Sequence, residues 1–205
     1  MTGHPSCLTG SLAAAVDGQW LAPAVRMAAE ASGSWPSWPQ PHPVGWTCFP
    51  QVATHTPGAD AGSVRAARDF AVATVERWGT TQRREDIAIV VSELLTNALR
   101  HALPRAGVTW PGSAIRLGLL QPGPCVLCAV ADPSPRAPVP RHTGMLAETG
   151  RGLHVVGALA DAWGYTTPGD AGKIVWAVFS AGRPPARVRP PRHAAGFADG
   201  RGGAF

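Results

Sequence analysis

A chain of 205 residues suits one folded domain with some appended sequence. Hydrophobic residues make up 45% and charged residues only 15%, which excludes full-length disorder; the 24 Gly and 21 Pro point to irregular flanks around a folded unit. The net charge of +5 belongs mostly to the C-terminal tail, where Arg183, Arg187, Arg189, Arg192 and Arg201 face Asp199 alone. Between residues 44 and 182 twelve basic residues meet ten acidic ones. The tail therefore reads as a solvated, disordered end, and nucleic-acid binding through it is the weaker alternative.

In chain order, residues 1–43 lack a periodic pattern and read as a Pro/Trp-rich, disordered extension. SLAAAVDGQWLAPAV does not make a signal peptide, because Asp17 and Gly18 interrupt it and no basic stretch precedes it. No apolar run reaches the roughly 18 residues of a membrane span. GWTCF, residues 45–49, is expected to open the domain as a strand. Ser63 is placed to cap a helix whose apolar positions are Val64, Ala67, Phe70, Ala71, Val75 and Trp78, and Gly79 stops it. A second helix is predicted from about Arg83 to Ala102, with Ile87, Val90, Val91, Leu94, Leu95 and Ala98 on its apolar face.

Two strand-like runs follow, residues 114–120 and 125–132, around the turn signal QPGP. Cys125 and Cys128 lie three apart in the second run, on opposite faces of a strand, with no further Cys/His pair at zinc spacing. They read as core residues, and a reducing, cytoplasmic location is expected. Residues 133–149 are too Pro-rich for regular structure. A helix over Leu153–Ala160 and two strands, WGYTT and KIVWAVF, complete residues 44–182 as the folded domain, with 183–205 as tail. The order predicts an α/β two-layer sandwich: a mixed, mostly antiparallel sheet with helices on one face.

Glu93, Asn97 and His101 are spaced four apart on the second helix, with Arg100 beside Asn97, so they share a face. Taken alone the spacing also fits an ordinary polar helix face. A metal and a phosphate chain would give such a face partners: Mg²⁺ takes oxygen ligands and keeps waters, and a glutamate can accept a proton from an attacking hydroxyl. Asp132 ends an apolar strand, where its carboxylate could accept from an exocyclic amine or simply start a turn. Gly150, Arg151 and Gly152 precede a helix, where glycines allow close backbone approach and the helix start presents N–H groups to an anion. Lys173, the only lysine, follows Gly172 at the start of the last strand.

In this order and spacing the segments VVSELLTNALRHA, AVADPSP, GRGLHVVGALADAWGY and GKIVWAVF resemble the boxes of the GHKL, or Bergerat-fold, ATPase superfamily. The closest likeness is to small actinobacterial regulatory proteins similar to anti-sigma-factor serine kinases. The resemblance covers about residues 44–182 and implies ATP and Mg²⁺ as ligands. It makes Asn97 the Mg²⁺ ligand, Glu93 the general base or water-positioning acid, and Asp132 the partner of the adenine amine. Gly150, Arg151, Gly152 and Leu153 would border the triphosphate, Arg100 and His101 would be pocket neighbours, and residues 134–149 would form a lid. Two departures stand out. DPSPRAP has fewer glycines than that box usually carries, and Lys173 stands where the family usually places a Thr near adenine.

The resemblance implies an ATP-binding regulator that phosphorylates a Ser or Thr of an antagonist protein and binds a sigma factor or other protein target, with a homodimer as the expected assembly. The alternative is a non-catalytic module whose nucleotide occupancy switches a protein partner.

Overall fold

The apolar runs of the sequence become the middle of one sheet. The computed structural model describes residues 19–32, 51–58, 60, 62–101, 115–121, 123–138, 151–168 and 172–180. Its strands are β1 (Gln51–His55), β2 (Arg116–Gln121), β3 (Cys125–Asp132), β4 (Ala162–Thr166) and β5 (Lys173–Ser180), in the spatial order β1-β2-β3-β5-β4. Every neighbouring pair among them is antiparallel. β3 and β5, the two eight-residue strands, lie side by side in the interior of the sheet, with Asp132 opposite Lys173 at one end of the ladder.

One face of the sheet carries three helices: α2 (Ser63–Arg77), α3 (Arg84–His101) and α4 (Gly152–Leu159). The stripe Ile87, Val90, Val91, Leu94, Leu95 and Ala98 of α3 is buried, as its spacing predicts. It meets Ala67, Ala71 and Val75 of α2, Leu153 and Val156 of α4, and the alternate strand residues Val126, Cys128, Val130, Val175, Ala177 and Phe179 in one core. Arg83, just before α3, locks this layer together. Its buried guanidinium lies 2.8 Å from Asp86 and 3.7 Å from Asp161, donates to the Leu159 carbonyl at 2.5 Å, and sits 5.5 Å from the centre of the Phe179 ring.

The α/β arrangement expected for the domain is therefore present, and the structure adds a cover on the other face. Residues 19–32, which the sequence reading placed in an irregular extension, form a 3-10 turn (Gln19–Leu21) and the helix α1 (Ala22–Ser32). Pro23 stands in the first turn of α1, where a missing N–H costs nothing. Leu21, Ala24, Val25 and Ala28 pack on Leu127, Ala129, Ile174, Trp176 and Val178, the other alternation of β3 and β5. Strands that are apolar on both faces need cover on both. Gly118 of β2 makes room for this docking, because a Cβ there would stand 2.7 Å from the Leu21 side chain.

The start of α2 also differs from expectation. Ser63 is the first helical residue and not the cap; Gly62 is the N-cap and offers no side chain. Asp60 organises the turn instead, accepting from the Ser63 hydroxyl at 3.0 Å and the Gly62 N–H at 2.8 Å, which holds its carboxyl below the usual carboxylate range. Gly79 ends the helix with φ +75°, a conformation that favours glycine. The strand expected over residues 45–49 and the tail 183–205 lie outside the described residues.

Candidate functional site

Glu93 and Asn97 stand one turn apart on the edge of the buried stripe of α3, and both are half-buried. The start of α4 comes down directly on them. A Cβ built on Gly152 would lie 2.6 Å from Glu93 Oε2, 3.2 Å from Asn97 Nδ2 and 3.5 Å from Asn97 Oδ1. Only a residue without a side chain lets the α4 backbone approach these two polar groups without displacing them. The helix begins here without a side-chain cap: Arg151 is its N-cap residue, and the first helical bond runs from the Val155 N–H to the Arg151 carbonyl at 3.0 Å. A helix start brought against a carboxylate and an amide joins anion-binding N–H groups to oxygen ligands suited to a hard cation.

Asp132 is buried at the end of β3 and faces the helical layer, in alternation with Val126, Cys128 and Val130. Its Oδ1 accepts from the Ser134 N–H at 2.9 Å and from Lys173 Nζ at 2.7 Å. Lys173, equally buried, faces the same layer from β5 and also donates to the Ser134 carbonyl at 3.1 Å. Gly172 has φ +113° and lies against the backbone of Asp132 and Pro133, so the turn into β5 fits only glycine. The sequence singled out Asp132 and Lys173 separately; the fold makes them an ion pair. It also adds Ser134, whose backbone holds both side chains. An Asp at a strand end followed by Pro is an Asx-turn signal, and it is the available clue.

The remaining candidates divide. Leu153 is buried under α4 as part of the main core, and Arg151 is exposed at the helix start. Arg100 is exposed near the C-terminal end of α3. His101 is the last residue of that helix, and the position of its side chain lies outside the description. Gly150 and residues 139–149 of the expected lid lie outside the described residues; residues 134–138 have no helix or strand.

Cys125 and Cys128 fall on opposite faces of β3, one in each core, and both are free thiols. Burial pushes the thiols up, Cys128 most strongly, as expected of packed core side chains. Among the described residues no helix is long and apolar enough to cross a membrane.

A family model described as a histidine kinase-like ATPase domain matches residues 58–179, more than half of the chain. Uncharacterized protein SCO4941 of Streptomyces coelicolor is 36% identical over 93 residues, which cover 44% of this chain and 85% of that protein.

Proposed function

The chain belongs to the histidine kinase-like ATPase family, and on that footing we propose that it binds ATP with Mg²⁺ between α3, α4 and the Asp132 end of β3. The observation that carries this reading is the seat of Gly152 on Glu93 and Asn97. The groups there suit the ligand. Asn97 offers an amide oxygen to Mg²⁺, which otherwise keeps waters and phosphate oxygens as ligands. The α4 start and its glycine border the phosphates, with Arg151 beside them. Asp132, facing the same layer, accepts from the base. Bound Mg²⁺ would supply charge neutralisation on the phosphate chain.

We further propose phosphoryl transfer to a Ser or Thr of a small antagonist protein, in the manner of an anti-sigma-factor serine kinase. Glu93 takes the hydroxyl proton, the hydroxyl oxygen forms a bond to the γ-phosphorus, and the bond to the β-phosphate oxygen breaks to leave ADP. A sigma factor is the proposed second partner, with a homodimer as the proposed assembly. The test is transfer of label from γ-labelled ATP to candidate antagonist proteins. Acid-stable label on the partner that disappears with Glu93→Ala supports the assignment, and label unchanged by that substitution removes it. One observation favours the second reading, a nucleotide-dependent switch without turnover: Lys173 donates to Asp132 and to the Ser134 carbonyl, at the start of the segment proposed as the lid. Binding of Mg-ATP with no transfer to any partner selects that reading.

A further inference from the structure

Asp132 and Lys173 form a register pair across β3 and β5. Both belong to the strand alternation that faces α3 and α4: Val126, Cys128 and Val130 precede Asp132 on that face, and Val175, Ala177 and Phe179 follow Lys173. Asp132 Oδ1 already accepts two donors, Lys173 Nζ at 2.7 Å and the Ser134 N–H at 2.9 Å. Lysine carries three N–H donors. Lys173 directs one to Asp132 Oδ1 and one to the Ser134 carbonyl, and among the described residues the third has no acceptor. The side chain is only 8% exposed. A buried ammonium with a donor to spare can take an acceptor from a ligand.

We propose that Lys173 is a base-reading residue, its third N–H donating to adenine N1 while Asp132 accepts from the neighbouring N6 amine. The proposal rests on the ATP reading given above. It adds the statement that the two atoms of the base edge are read by two side chains fixed against each other. Adenine presents one donor beside one acceptor, and the pair presents one acceptor beside one donor. Guanine presents two adjacent donors, N1–H and N2–H, which a carboxylate grips with both oxygens. Oδ1 is already committed to Lys173 and Ser134, so the pair suits adenine. The buried ion pair also orients Nζ before the nucleotide arrives, so little ordering is left to do on binding.

Calorimetry on the full chain with three nucleotides tests this. ATP has both edge atoms, 1-deaza-ATP lacks the N1 acceptor, and purine riboside triphosphate lacks the N6 amine. The wild type is expected to bind 1-deaza-ATP about tenfold or more weakly than ATP, the size of one lost charged hydrogen bond. Lys173→Met is expected to bind ATP and 1-deaza-ATP alike while still preferring ATP over purine riboside triphosphate. Lys173→Gln, which keeps a neutral donor, is expected to retain part of the N1 preference. Equal binding of ATP and 1-deaza-ATP by the wild type overturns the proposal even if Lys173→Met fails to fold. Full N1 preference in a folded Lys173→Met overturns it too, because Lys173 would then only hold Asp132 in place. Absence of ATP binding by the wild type is a different result: it removes the ATP site itself, and the base reading with it.

Discussion

Gly152 sits so close to Glu93 that a Cβ on it would stand 2.6 Å from the carboxylate oxygen Oε2. That oxygen ends a flexible side chain, so it can yield without disturbing the core. Gly152→Ala should therefore separate stability from function. The helix gains from alanine, up to about 1 kcal/mol, and the melting temperature stays the same or rises. Mg-ATP affinity falls about tenfold, because Glu93 and Asn97 must move out of the cradle. Thermal melting with and without nucleotide checks both halves. Unchanged affinity would mean that the cradle is only packing.

Arg83 is expected to be a stability residue with no part in nucleotide contact. Its buried guanidinium ties the start of α3 to Asp161 and to the Leu159 carbonyl at the end of α4. Arg83→Met leaves Asp86 and Asp161 without their cation and should cost about 3–5 kcal/mol. Urea unfolding measures this directly. A loss below about 1 kcal/mol would show that the network is idle.

The second face of the sheet gives another test. Leu21 is buried against the strands and fits beside Gly118. Leu21→Ala should destabilise the chain by about 2–5 kcal/mol, as for other buried leucines. No change in the unfolding midpoint would mean that the 3-10 turn and α1 do not cover that face in solution.

Cys128 provides a pH dependence. Burial raises its thiol in the folded chain, while in the unfolded chain it ionises at an ordinary value, with about 9.0 as the reference. Below that pH both states hold the proton and the group contributes no pH dependence. Above it the unfolded state binds fewer protons, so stability falls as pH rises. Urea midpoints at about pH 8 and pH 10 should differ for this reason, and Cys128→Ala should reduce the difference. An equal drop in the variant would assign the effect to other groups.

Much of this was legible in the sequence because local patterns agree with tertiary packing here. The stripe from Ile87 to Ala98 is both a helical period and the observed core face. The CVLCAVAD run became β3 with the expected ends. The cover by α1 does not stand out in the sequence, since Leu21, Ala24, Val25 and Ala28 make only a short stripe of mostly small residues in a stretch without a sustained periodic pattern. The clue lay elsewhere, in strands that are apolar on both alternations. The closeness of Gly152 to Glu93 and the pairing of Lys173 with Asp132 join residues 59 and 41 positions apart. Neither follows from local spacing, because each depends on how α4 lands on α3 and on the β3–β5 register.

The Mg-ATP site built on α3 is tested most directly by calorimetry of Mg-ATP binding to the wild type and Asn97→Ala. Loss of the metal-ligating amide is expected to weaken binding at least about tenfold with the fold intact by circular dichroism. Equal affinity in the two proteins, or no binding by the wild type, would contradict the account.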